Sequence, residues 1–108
     1  MPKLIAISPV IAERADDFED WLRTIVVPAQ KEHRPEQDGR WEVLRATDAE
    51  EGVVVFTFIF DGGGPTEWEL EPLLVQALGA EGARSAMSDL IAMMKGPQYG
   101  WVLTPVHL

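Results

Sequence analysis

Four tryptophans, Trp21, Trp41, Trp68 and Trp101, are the side chains of this sequence best suited to holding a ligand. An indole offers a wide apolar face and a single N–H donor. Several together could line a pocket for a flat apolar molecule and orient it. The same residues could instead fill a core or a subunit interface, where aromatic side chains are enriched. Arg45 shares strand parity with Trp41 and Val43. Facing inward, it could bind a carboxylate, phenolate or enolate; facing the rim, it would cover apolar surface or form a salt bridge across an interface.

The other chemistry-bearing residue types do not assemble. There is no cysteine, so no thiolate nucleophile, disulfide or zinc-finger site is available. His33, flanked by Glu32 and Glu36, falls at a helix end and His107 near the end of the sequence. Neither has a second ligand at metal spacing. The acids of Asp17–Asp20 and of Glu50–Glu51 fall at a helix start and in a turn, where carboxylates favour the helix dipole or solvent. Gly62, Gly63 and Gly64 precede no Lys-Ser or Lys-Thr pair and so form no phosphate loop; they read as a linker or a mobile lid. Ser8, Ser85 and Ser88 have no histidine placed to activate them. Met87, Met93 and Met94 read as core or interface filler. The sequence therefore assigns no catalytic residue, no metal and no cofactor.

Composition narrows the partners. With 18 acidic against 9 basic residues the net charge is -9, which repels phosphate backbones and argues against nucleic acid. No apolar run is long enough to cross a bilayer, and the opening MPKLIAISPV is too short for a secretion signal. A cytoplasmic protein is expected. At 108 residues the chain makes one domain, 1–108.

Residues 3–11 predict a first strand. Asp16 with Glu19 reads as a capping box opening a helix whose apolar face is Phe18, Trp21, Leu22, Ile25 and Ala29. Pro28 then removes the N–H that Thr24 would accept, so the helix should kink or break before one more turn through AQKEH. Pro35, Asp38 and Gly39 mark a turn. Strands over 41–47 and 53–60 form a hairpin around DAEEG, a loop of about five residues. A second helix is expected from Glu71, with Pro72 in its first turn, to Leu78, and a third from Glu81 to Lys95. Residues 101–106 predict a last strand. The order β-α-β-β-α-α-β is a split βαβ, or ferredoxin-like, α+β arrangement: an antiparallel sheet with helices on one face.

Both faces of these strands are apolar. Val53, Val55, Thr57 and Ile59 oppose Val54, Phe56, Phe58 and Phe60, and Leu4 and Ala6 oppose Ile5 and Ile7. One layer of helices buries only one face, and no residues remain to cover the other. A second copy of the same sheet is the economical cover, so a homodimer packed sheet to sheet is expected.

In this order of elements, with Trp21 seven positions before Pro28 and with Gly39-Arg40-Trp41 opening strand two, the sequence resembles the dimeric α/β-barrel superfamily. That superfamily includes EthD-like and antibiotic-biosynthesis-monooxygenase-like domains, and the ending KGPQYGWVLTPV sits where its last strand would. The resemblance implies a proline inside helix one as a habit of the architecture. It also implies a helix–sheet pocket for a small aromatic or polyketide-like ligand, or for the substrate of a cofactor-independent monooxygenase, lyase or cyclase. Many EthD-like members carry a histidine two positions before the proline; Val26 stands there in this chain.

Overall fold

Pro28 does not break helix one. The computed structural model describes residues 2–108, and in it α1 (Ala15–Trp21) runs through a π-helical turn, Leu22–Val26, into α2 (Val27–His33). The Val27 N–H donates to the Leu22 carbonyl five residues back. The wider turn removes the demand that Pro28 donate to the carbonyl of Thr24. Thr24 Oγ1 adds a bond to the Asp20 carbonyl at 2.7 Å where the backbone ladder changes step. The expected kink is thus replaced by one extra residue in the turn.

Strand β1 is Lys3–Ile11, β2 is Trp41–Arg45, β3 is Val53–Asp61 and β4 is Tyr99–Leu103. They form one sheet in the order β2-β3-β1-β4, with every neighbouring pair antiparallel. This is the ferredoxin-like α+β arrangement expected. Two ends move. β2 stops at Arg45, and β4 covers 99–103 rather than 101–106, since Leu103 already lies opposite Lys3 where β1 begins. The hairpin is tighter than expected: Glu50 and Val53 exchange both backbone bonds around Glu51 and Gly52, each with positive φ, the signature of a two-residue primed turn.

The expected second and third helices meet, as expected, at Gly79, whose φ of 76° and ψ of 172° belong to neither helix nor strand; together they make the kinked rod α3 (Leu70–Met93). Pro72 falls in the first turn, where its missing N–H costs nothing. The rod ends two residues before Lys95, because Lys95 N–H leaves the helix to bond the Pro9 carbonyl at 2.8 Å. The Asp16–Glu19 capping box is also absent. Arg14 precedes α1 without a side-chain cap, and both carboxylates reach Arg45 instead.

Register divides the sheet into two faces. Val10, Val54, Phe56 and Phe58 are buried beneath the helices with Phe18 and Leu74. The opposite face carries Ile5, Ile7, Val55 and Ile59, only half-buried, and Leu44, Tyr99, Trp101 and Leu103, each about half exposed. Nothing among the described residues covers it. Among the described residues, no helix is long and apolar enough to cross a membrane.

Candidate functional site

Between the helices and the sheet lies a cleft of about 850 Å³, within the range that accommodates small organic ligands. Leu4, Ala6, Ser8, Phe58 and Phe60 form its floor. One wall is helix one, through Phe18, Trp21, Leu22, Val26 and Gln30; α3 supplies the other through Leu73, Met87 and Leu90. Val26 and Gln30 line the cleft, while Ala29 is buried and Ile25 packs half-buried against the core, so the apolar face expected of helix one is present.

Three of the four tryptophans converge here. Trp21 stacks on Phe18 with ring centroids 6.2 Å apart, and its Nε1 is buried with no hydrogen-bond partner. Trp41 stacks on Phe60 at 6.5 Å and donates to Gln30 Oε1 at 3.3 Å. Trp68 leans on the same Phe60 ring at 4.7 Å and donates to the Gly62 carbonyl at 2.9 Å. Trp101 is elsewhere. It pairs with Ile5 on the uncovered face of the sheet, edge-on to Tyr99 at 5.6 Å.

Arg45 lies on the helix side of the sheet, its guanidinium 5.7 Å from the Phe56 ring, but it does not line the cleft. Its carboxylate partners are the chain's own: Asp16 Oδ1 at 2.8 Å, and Glu19. Hydrogen bonds from Asp16 and then Glu19 raise the arginine further above its already high pKa. The geometry makes it a clip between β2 and α1.

A polar latch at the mouth was not anticipated from sequence. Arg34 donates to the carbonyls of Glu67 and Glu69 at 3.1 and 2.9 Å, and Gln37 Nε2 donates to the Glu67 carbonyl at 2.8 Å. Arg40 bonds the Asp61 carbonyl and Glu67 Oε1 and sits 5.2 Å over Trp68. These contacts hold Pro65–Trp68, the short 3₁₀ turn after the three glycines, against the cleft. The signal present in sequence was the spacing of Gln30, Arg34 and Gln37, one polar stripe continuing the helix-one face.

Among the described residues no histidine or lysine lines the cleft, and its charged lining residues are Arg34, Glu69 and Glu71. His33 lies beside Glu32, 3.9 Å between Nε2 and Oε2, and neither lines it; His107 follows the last strand in an exposed segment. Val26, two positions before Pro28, does face the cleft, and presents only methyl groups. Among the described residues, no three His, Asp or Glu side chains gather at metal-binding distance. What the cleft can do is exclude water from a flat apolar molecule, stack it, and offer it hydrogen-bond donors.

No protein-family model matches this sequence, and no curated protein matches it. Solved structures do match by shape. A candidate antibiotic biosynthesis monooxygenase from Caulobacter crescentus CB15 superposes with a TM-score of 0.55 at 17% identity, covering 98% of this chain and 90% of that one. Another structure described as an antibiotic biosynthesis monooxygenase gives 0.56 at 16% identity over 99% and 100% of the two chains. HapK from Hahella chejuensis gives 0.51 at 14%, over 100% and 97%. At these identities the likeness is one of fold. That fold is the ferredoxin-like α+β arrangement.

Proposed function

We propose that this chain is one half of a dimeric α/β barrel that binds a small, flat, aromatic or polyketide-like molecule between its helices and its sheet. The observation that carries this reading is the convergence of Trp21, Trp41 and Trp68 on one apolar cleft of about 850 Å³, with a polar latch at its mouth. Trp21 also belongs to the buried core and Trp41 packs against it, and all three line the cleft. The uncovered face around Ile5, Ile7, Ile59 and Trp101 supports sheet-to-sheet pairing with a second copy. The net charge of -9 argues against nucleic-acid partners, and the cysteine-free sequence suits a cytoplasmic setting.

Native mass spectrometry of freshly purified protein tests both parts. A dimer carrying a discrete small mass supports the reading. A monomer removes the pairing, and failure to bind any flat aromatic probe removes the cleft function.

A second reading is favoured by the structural neighbours, whose names place them among antibiotic biosynthesis monooxygenases. A cofactor-independent enzyme of that kind would depend on positioning and on the substrate's own acidity, because the cleft provides no histidine or lysine. Aerobic incubation separates the two. A binder releases its molecule unchanged, and an enzyme releases a product of different mass.

A further inference from the structure

Pro65 and Trp68 line the cleft from a stretch of chain that belongs to neither the sheet nor the long helices: β3 has ended at Asp61, and α3 starts at Leu70. Among the described residues, the backbone hydrogen bonds of 63–68 stay within 63–69, as in the Glu67 N–H that donates to the Gly64 carbonyl at 3.1 Å. Side chains from 34–40 fasten the stretch instead. Arg34 and Gln37 hold the Glu67 and Glu69 carbonyls, and Arg40 donates to Glu67 Oε1 at 3.1 Å with its guanidinium over the Trp68 ring. Residues 63–67 are all exposed, so these bonds compete with water and each is weak alone.

One end of the stretch is fixed and the next residues can turn. Gly62 is buried, donating to the Pro2 carbonyl at 3.1 Å and accepting from Trp68 Nε1 at 2.9 Å. Gly63, at φ 72°, and Gly64, at φ -102° and ψ 173°, follow it with no side chain to restrict rotation. We propose that residues 63–69 form a gate, hinged at Gly63 and Gly64 and latched by Arg34, Gln37 and Arg40, that swings Trp68 off Phe60 to admit a ligand and closes over it. This rests on the reading of the cleft as a ligand site. Entry and exit then share one opening, so a change in latch or hinge alters both rates by the same factor and leaves the affinity where it was. A residue that simply touches the ligand would act mainly on the rate of release.

The test is stopped-flow fluorescence with N-phenyl-1-naphthylamine, an uncharged aromatic probe that brightens in apolar surroundings. Its concentration dependence yields both rate constants. Two variants lie outside the lining of the cleft. Arg40→Ala removes the ion pair to Glu67 and the cation over Trp68, and both rates should rise about threefold to tenfold. Gly64→Ala adds a methyl that meets no atom within 4 Å, at a φ that alanine accepts. It restricts the hinge, and both rates should fall about twofold to fivefold. The dissociation constant should stay within about twofold of the unaltered protein's in each.

Unchanged rates in either variant, or a release rate that moves alone, overturn the gate and leave the cleft reading intact. A probe that does not bind the unaltered protein overturns both. If Arg40→Ala does not fold, Glu67→Gln weakens the same ion pair from the other side, and both rates should again rise together.

Discussion

Trp101→Glu should convert a dimer into a monomer. The indole stands on the uncovered face of the sheet, 55% exposed in the isolated chain. Of the roughly 250 Å² that a tryptophan can bury, this leaves about 140 Å² for a partner, or ~3 kcal/mol at about 25 cal/mol per Å². Two-fold symmetry places two such indoles in one interface. Even if a second copy covers only half of each, deleting both costs ~3 kcal/mol, about a hundredfold in the dimer dissociation constant. The glutamate adds to this by placing a carboxylate where it would lose water without a counter-charge. Sedimentation equilibrium across a concentration series measures the constant directly. Ile91→Glu, on the outer side of α3 where the side chain is 68% exposed, is the control for adding an acid to any exposed apolar position; it should leave the dimer intact. A wild-type chain that stays monomeric at high concentration, or two variants that weaken association equally, would refute the assignment of the bare sheet face to a second copy.

Gly79→Ala should destabilise the fold by about 1–3 kcal/mol in urea unfolding, because φ 76° with ψ 172° is a conformation essentially reserved to glycine. Arg45→Ala should lower the melting temperature slightly, and the difference should vanish at 1 M salt, where the screening length falls to about 3 Å. Since pairing with Asp16 and Glu19 raises the arginine's pKa, its contribution is fully present below its ordinary value and lost only as pH climbs past the raised one. The wild-type-to-variant difference should therefore stay level from neutral to mildly alkaline pH. Arg34→Ala should speed amide hydrogen exchange across 62–69 while barely moving the melting temperature, since only the latch on that segment is removed.

The sheet was legible because its apolar pattern repeats every two residues over long runs. β1 begins and ends where that pattern does, and β3 extends one residue beyond it to Asp61. Which face the helices take was not legible. Parity separates Leu4 from Ile5 but does not say which looks inward, so Trp101 was grouped with the cleft tryptophans although its register opposite Ile5 sends it outward. Helix one was read at a spacing of 3.6, and its face of Phe18, Trp21, Leu22, Ile25 and Ala29 does pack inward; what was not legible is the π-turn over Leu22–Val26, for which simple periodicity has no term. Asp16 and Glu19 matched a capping box in spacing. Their true partner, Arg45, is 29 and 26 positions away, and only the folded sheet brings it near.

Beyond the π-turn, Val26 and Gln30 line the cleft, and Val26 presents only methyl groups there. Four residues further, Gln30 does not face the ligand space as a free amide. It is committed at both ends, accepting from Trp41 and donating to the Arg34 carbonyl at 2.9 Å. Arg34 is committed in turn to the turn that follows the glycines. Polar capacity along this wall is thus consumed by the latch, and among the described residues the buried Trp21 indole N–H is left without a partner.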